Sequence, residues 1–212
     1  MSRVAANRSI RIALWIIVAA IAAVPVIAAA ASPLQRGREL LWVTGGMAGV
    51  VAMSLLFVQP LFKAAVPALL DARDGVYWHR IGGMGIVAMV ALHVGALYAY
   101  SPDDITDALL LVAPTRFSLY GVISMWCVVL TAVLAGTRRM LRFDYGLWRV
   151  LHSVLAVAIV ASGAIHAIQI EGAMEDYSKL AICIAALAVT TLGALEVNVL
   201  APLRRRDRAT VR

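Results

Sequence analysis

The sequence predicts an all-α integral membrane protein built as a bundle of six transmembrane helices. The chain has 212 residues, of which 62% are hydrophobic and only 15% are charged. Its mean hydropathy is +0.87, and its apolar residues fall into six runs that approach the roughly 20 residues needed to cross a hydrocarbon core. A soluble domain of this size has too little interior to bury so many apolar side chains. The composition therefore excludes a soluble fold.

Short segments rich in charged and turn-forming residues separate the six runs, so the whole chain, residues 1–212, is expected to form a single transmembrane domain. The predicted helices cover about residues 11–32, 39–61, 79–100, 117–136, 148–170 and 178–201. The first run also fits a cleavable signal peptide, because basic residues precede it and small residues (AAAAS, 28–32) end it. Its apolar part is long for a signal peptide, so we favour a retained helix.

Lysine and arginine are distributed unequally between the two predicted sides of the membrane. Fifteen of the nineteen fall on one side if the N-terminus is cytoplasmic. The four on the other side are Arg36, Arg38, Arg116 and Lys179. Because cytoplasmic loops carry an excess of basic residues, the pattern predicts a multi-pass protein of the bacterial inner membrane with both termini in the cytoplasm.

The sequence gives no indication of nucleic-acid binding, of covalently attached haem or of a zinc site. The net charge of +7 does not indicate nucleic-acid binding, because the basic residues stand at the ends of apolar runs and form no basic domain. The two cysteines, Cys127 and Cys183, lie inside apolar segments, with no CxxCH motif for covalent haem and no CxxC motif for zinc. We interpret them as small buried hydrophobic residues.

The four histidines of the chain form two pairs with one spacing. His79 and His93 lie on the third predicted helix, and His152 and His166 lie on the fifth. Fourteen residues turn a helix to within about 40° of four full turns and advance it by about 21 Å. Each pair therefore shares one helix face, with one histidine near each edge of the hydrocarbon core.

The third and fifth helices run in the same direction, because one crossing separates them. His79 and His152 are then at one level of the membrane, and His93 and His166 are at the other. Two such pairs predict two stacked bis-histidine sites for haem iron, with the haems non-covalent and therefore b-type. A helix–helix hydrogen bond or a proton relay would explain one or two intramembrane histidines, but it would not explain two pairs of matched spacing and depth.

Residues close to the histidines fit the same cofactor. Gly82, Gly83 and Gly163 lie within about one turn of a histidine and could clear a surface for a flat macrocycle, although small residues also serve ordinary helix packing. Arg80 and Arg149 are placed to pair with the propionates of the haem nearer the cytoplasm. The positive-inside rule alone also predicts arginines there.

The run from Trp78 to His93, WHRIGGMGIVAMVALH, and the run from Trp148 to His166, WRVLHSVLAVAIVASGAIH, resemble the ferric reductase-like transmembrane domain. Ferric reductases and the membrane part of NADPH oxidases share this domain, and the resemblance covers about residues 40–200. It implies a six-helix bundle with two haems b, one ligated by His79 and His152 and the other by His93 and His166.

One departure from larger members of that family bears on the electron donor. Those members continue into a cytoplasmic FAD- and NAD(P)H-binding module, whereas this chain stops at Arg212 and has no GxGxxG motif between a strand and a helix. It is similar to stand-alone members such as the haem-binding membrane subunit of the periplasmic methionine sulfoxide reductase system. That resemblance implies a donor in trans, either a cytoplasmic flavoprotein that supplies FAD or FMN or a membrane quinol, and a periplasmic acceptor.

The expected function is transmembrane electron transfer. No group in the sequence has the setting of an acid–base or nucleophilic catalyst, so we expect an electron-transfer subunit of an oxidoreductase system rather than a complete enzyme. Two alternatives stay open. One is a quinol-linked cytochrome b, which also pairs histidines on two helices, and the other is a haem-free transporter or assembly subunit.

Overall fold

A computed structural model describes residues 3–62, 72–142 and 144–204, and these residues form helices joined by short connections. In chain order the α-helices are α1 (Arg3–Ala31), α2 (Leu40–Val58), α3 (Ala72–Tyr100), α4 (Pro102–Leu109), α5 (Arg116–Thr137), α6 (Tyr145–Gln169) and α7 (Asp176–Leu195). Turns of 3-10 helix cover Pro33–Gln35 and Gln59–Phe62, and a π-helical turn covers Glu196–Leu200. No strand occurs among the described residues. The predicted all-α fold is confirmed.

Six helical segments of the described chain are long and apolar enough to cross a membrane. They are Ser9–Ala31, Leu40–Phe62, Asp74–Tyr100, Arg116–Thr137, Tyr145–Gln169 and Asp176–Arg204. The protein is therefore a multi-pass membrane protein with the predicted number of spans. Helix α3 begins about two turns earlier than predicted, and an acidic residue in its first turn, Asp74, favours that start electrostatically.

The short helix α4 lies in a connection that the sequence analysis treats as a loop. Pro102 occupies its first turn, where a missing N–H group removes no helical hydrogen bond. Asp103 and Asp104 are also in that turn and interact favourably with the helix dipole. The hydroxyl of Ser101 donates to Asp104 Oδ2 at 2.6 Å. A proline followed by two acidic residues therefore starts a helix here.

The main hydrophobic core is shared by α1, α2, α6 and α7. Helix α2 packs against α1 and α7, and α6 packs against α5 and α7. The most deeply buried side chains of this core are Ala29, Val160, Ile182, Cys183 and Ala186. Both cysteines are free thiols; Cys183 is buried as the sequence predicts, whereas Cys127 is only partly buried.

The two helices that carry the histidines, α3 and α6, approach each other without extensive backbone contact. Helix α3 packs mainly on α2, and α6 packs mainly on α5 and α7. A second, smaller hydrophobic cluster joins Ile86 of α3, Val128 of α5 and Ile159 of α6. The bundle therefore holds α3 and α6 side by side through their neighbours.

Candidate functional site

The histidines of α3 and α6 face each other at two levels of the bundle. The ring centroids of His79 and His152 are 5.9 Å apart, with an angle of 67° between the ring planes. The ring centroids of His93 and His166 are 6.2 Å apart, with an angle of 82° between the planes. The structure thus brings together the histidines that were paired from the sequence. These two pairs account for all four histidines of the chain.

These separations match the distance between two imidazoles that share one metal ion. A metal–imidazole bond is about 2.0–2.1 Å, and the atoms of a five-membered ring with bonds near 1.33 Å lie about 1.1 Å from its centroid. Two imidazoles in line on opposite sides of a metal therefore have centroids about 6.3 Å apart. Both histidine pairs lie within about half an ångström of that spacing.

Backbone carbonyls contact the Nδ1 atom of three of the four histidines. Nδ1 of His93 lies 2.7 Å from the carbonyl oxygen of Gly45, and Nδ1 of His166 lies 2.8 Å from that of Phe117. Because a carbonyl can only accept, each Nδ1 must carry the proton and donate. This leaves the lone pair on Nε2. A metal-binding histidine commonly has its other ring nitrogen anchored in this way.

A glycine one helical turn after the accepting carbonyl makes room for each of these two rings. A Cβ atom on Gly49, four residues after Gly45, would lie 3.0 Å from His93 Nδ1. A Cβ atom on Gly121, four residues after Phe117, would lie 2.7 Å from His166 Nδ1. Helices α2 and α5 therefore hold the two rings by the same arrangement, an accepting carbonyl followed by a glycine.

Gln59 holds His79 by two hydrogen bonds at the C-terminal end of α2. Its carbonyl oxygen accepts from His79 Nδ1 at 3.1 Å, and its side-chain Nε2 donates to the His79 backbone oxygen at 2.8 Å. Carbonyls in the last turn of a helix lack partners within that helix. The C-terminal end of α2 therefore supplies a carbonyl for His79, just as the N-terminal part of α2 supplies one for His93.

An aromatic ring supports His152. The ring of Trp148, one turn earlier on α6, stacks on the imidazole with centroids 5.1 Å apart and an interplanar angle of 30°. Trp148 therefore lies directly against the histidine. Trp126, in contrast, is 58% exposed on the outside of α5.

A layer of aliphatic side chains separates the two histidine levels. Ile86 is seven residues from each histidine of α3, and Ile159 is seven residues from each histidine of α6. Both are 5% exposed, and with Val128 they form the second hydrophobic cluster. These aliphatic side chains therefore pack together midway between the two histidine levels.

The glycines that the sequence analysis proposes beside the cofactor pack against protein side chains. A Cβ atom on Gly82 would lie 2.5 Å from Gln59 Oε1, and one on Gly83 would lie 3.2 Å from Gln59 Nε2. A Cβ atom on Gly163 would lie 3.2 Å from the hydroxyl of Ser124, which donates to the backbone oxygen of Ile159. These contacts are those of helix packing, the alternative left open from the sequence, and a role of the three glycines beside the cofactor stays a prediction.

The two arginines proposed for the propionates differ in their surroundings. Arg149 Nε donates to Asn198 Oδ1 at 3.2 Å, so its side chain reaches toward the end of α7. Asn198 also donates to the hydroxyl of Ser153 at 2.8 Å. Arg80 is exposed beside His79 on α3. Arg149 thus ties α6 to the π-helical turn, while Arg80 is accessible at the level of the His79 pair.

Within the described residues, no group of three or more His, Cys, Asp and Glu side chains is arranged to hold a metal ion by itself. A protein that binds haem does not need such a group, because the porphyrin supplies four nitrogen ligands and the protein supplies only the axial ones. Two facing imidazoles per level are the donor set that a bis-histidine haem requires.

A comparison with known protein families shows to which family this chain belongs. A family model described as the ferric reductase-like transmembrane component matches residues 46–163, more than half of the chain. The chain belongs to this family. No curated protein and no solved structure matches it.

Membership in the ferric reductase-like family suggests transmembrane electron transfer, and domains of this family generally bind haem. The matched segment contains His79, His93 and His152, and it ends three residues before His166. It also contains Gly49, Gln59 and Gly121, which the sequence analysis misses. For Gly49 the sequence signal is its spacing, since Gly45 and Gly49 lie four residues apart on one face of α2.

Proposed function

We propose that this ferric reductase-like protein carries electrons across the bacterial inner membrane through two non-covalent haems b. In this proposal His79 and His152 are the axial ligands of one haem, and His93 and His166 are those of the other. The donor is a cytoplasmic flavin or NAD(P)H-dependent protein, or a quinol, and the acceptor lies on the periplasmic side. The separation of the facing imidazoles, 5.9 Å and 6.2 Å, is the observation that carries the proposal.

When bound, the haems supply the one-electron chemistry, and the chain supplies their ligands, orientation and surroundings. The carbonyls of Gly45, Gln59 and Phe117 accept from the Nδ1 atoms of three histidines. Each accepted hydrogen bond fixes the orientation of its ring, and in this proposal the Nε2 atom is the iron ligand. Such an anchor also raises the basicity of the ligand nitrogen.

The surroundings suit electron transfer rather than ion transport. The aliphatic layer of Ile86, Val128 and Ile159 is buried between the two levels. Its three side chains are aliphatic and carry no group that could move a proton or coordinate an ion. An electron can tunnel through a thin apolar layer, whereas an ion cannot enter it without a large desolvation cost. This argues against the haem-free transporter left open from the sequence.

The single transmembrane domain over residues 1–212 and the cytoplasmic placement of both termini belong to the same proposal. So does the likeness to the haem-binding subunit of the periplasmic methionine sulfoxide reductase system. They rest on the distribution of basic residues and on the two histidine-bearing runs. With the basic side in the cytoplasm, His79 and His152 form the cytoplasmic site, and His93 and His166 form the periplasmic site.

Absorption spectroscopy and transport in liposomes test the proposal together. Protein purified from haem-replete cells is expected to show a reduced b-type α-band and two haems per chain. Proteoliposomes loaded with ferricyanide should then reduce it when a membrane-impermeant reductant is added outside. His93→Ala should abolish this reaction, whereas the matched control Leu92→Ala, at an adjacent residue that is 43% exposed, should retain it. A colourless wild-type preparation, or equal rates for His93→Ala and Leu92→Ala, would overturn the proposal.

A further inference from the structure

A charged and aromatic stack lies against His152 at the start of α6. Trp148 stacks on the His152 ring at 5.1 Å. The guanidinium carbon of Arg138 lies 5.5 Å from the centre of the Trp148 ring and 5.3 Å from the centre of the Tyr145 ring. Arg138 immediately follows α5, and the two aromatic residues begin α6. Arg138 therefore contacts the Trp148 ring, and the Trp148 ring in turn contacts His152.

The position of Arg138 is specific among the arginines of that turn. Its side chain is half-buried, whereas the neighbouring Arg139 is exposed. A guanidinium over the faces of two aromatic rings is attracted by the negative charge of those faces and is held in place. The two salt bridges found in the described part of the chain join Lys179 to Asp176 and Arg204 to Glu196. Neither neutralises the charge of Arg138.

We propose that Arg138 and Trp148 are positioning residues for the haem site of His79 and His152. Trp148 fixes the plane of the His152 imidazole, and Arg138 adds a fixed positive charge that favours reduction at this site. This inference rests on the proposed function, because it requires a haem between those two histidines. It identifies Arg138 as a residue that raises the reduction potential of the haem at which the electron is proposed to enter.

The physical basis is electrostatic. Reduction of a ferric centre adds one negative charge, so a nearby cation stabilises the reduced state more than the oxidised state. The interaction is strong where the medium between the charges has a low effective dielectric constant. The Trp148 ring, which contacts both Arg138 and His152, provides apolar surroundings of this kind. Arg139 carries the same charge, but solvent and salt screen it.

Redox titration of purified protein distinguishes the effects of Arg138 and Arg139 on the midpoint potential. In a His93→Ala background, which leaves only the site of His79 and His152, Arg138→Gln is expected to lower the midpoint potential. A tenfold change in the reduction equilibrium corresponds to about 59 mV for a one-electron couple, and we expect a change of about threefold to tenfold. Arg138→Lys should preserve most of the potential. Arg139→Gln, the matched control, should shift it much less.

The role of Trp148 has its own measurement. The electron paramagnetic resonance spectrum of a low-spin ferric bis-imidazole haem depends on the angle between the two ring planes. Trp148→Leu should move the largest g value of one haem, and Trp148→Phe, which keeps an aromatic face, should leave it near the wild-type position. Because this readout does not involve Arg138, it tests the inference even if Arg138→Gln fails to fold.

The outcomes distinguish failure of this inference from failure of the proposed function on which it rests. If wild-type protein binds no haem, the proposed function fails and this inference fails with it. If haem remains bound but Arg138→Gln and Arg139→Gln give equal shifts, the electrostatic role is wrong. If Trp148→Leu keeps the wild-type g value, the orienting role is wrong. In both of the last two cases the proposed function stands.

Discussion

Nδ1 of His93 on α3 lies 2.7 Å from the carbonyl oxygen of Gly45 on α2. The same relationship joins His166 on α6 to Phe117 on α5 at 2.8 Å. In both cases the next turn of the accepting helix presents a glycine to the imidazole. A neighbouring helix therefore orients each of these two histidines, which makes α2 and α5 part of the site although neither carries a histidine.

Gly121→Ala is expected to lose the haem of the His93 and His166 site. The new methyl group would lie 2.7 Å from His166 Nδ1, so the ring would have to leave its carbonyl partner. The haem content per chain, measured by pyridine haemochrome, should fall from two toward one. Gly136→Ala is the control, because this glycine is also on α5 and has no atom within 4 Å of the added Cβ. Equal haem contents in the two variants would show that Gly121 has no role in placing His166.

Gln59→Leu is expected to weaken retention of the haem at the site of His79. It removes the hydrogen bond from the side chain to the His79 backbone oxygen, and the net contribution of such a bond is about 0.5–1.5 kcal/mol. Loss of haem to apomyoglobin should be about two- to tenfold faster for this site. Gln169→Leu, at an exposed position of α6, should keep the wild-type rate. If both variants lose haem at the wild-type rate, Gln59 does not anchor His79.

Ile159→Ala is expected to destabilise the protein without removing either haem. The side chain is 5% exposed in the aliphatic layer between the two levels, and its truncation leaves a cavity that costs about 2–5 kcal/mol. Thermal unfolding in detergent, followed by circular dichroism, should show a lower midpoint than for Ile184→Ala, where the side chain is 58% exposed. Similar midpoints for the two variants would contradict a packed layer at this position.

Lys179→Met is expected to loosen the end of α6 that carries His166. The Lys179 side chain is 8% exposed, and its Nζ atom donates to the carbonyl oxygen of Ile170 at 3.0 Å. An unsatisfied buried carbonyl costs about 1–3 kcal/mol. Hydrogen exchange near the C-terminal end of α6 should therefore become faster.

Asp176 provides the control for this lysine. It pairs with Lys179 at 3.0 Å but is 92% exposed, and exposed pairs contribute only about 0–1 kcal/mol. Asp176→Asn should leave the exchange rates nearly unchanged. If Asp176→Asn has the larger effect, the ion pair rather than the carbonyl contact is the stabilising interaction.

The sequence was sufficient for the spans and for the pairing of the histidines because both depend on periodicity. Six apolar runs and two intervals of fourteen residues determine length, face and level by helix geometry alone. The same reasoning could not separate glycines next to a cofactor from glycines next to a helix. Gly82 and Gly163 pack against Gln59 and Ser124, and such partners are far away in sequence.

Contacts made by the backbone were the least predictable part of the site. The carbonyls of Gly45 and Phe117 accept from imidazoles because of how α2 packs on α3 and how α5 packs on α6. Every residue has a backbone carbonyl, so residue type does not indicate which carbonyl will accept from a histidine. The start of α4 was missed for a different reason, since proline and aspartate favour turns and helix N-termini alike.

The central claim is that His79 shares a ligand site with His152 and that His93 shares one with His166. Haem content and redox spectra of four single histidine-to-alanine variants and of the two paired double variants test it most directly. Each single variant is expected to lose one haem, and His93→Ala/His166→Ala should lose no more than either single variant, with the other haem unchanged. The account would be contradicted if His93→Ala and His166→Ala removed different haems, or if all four single variants kept two.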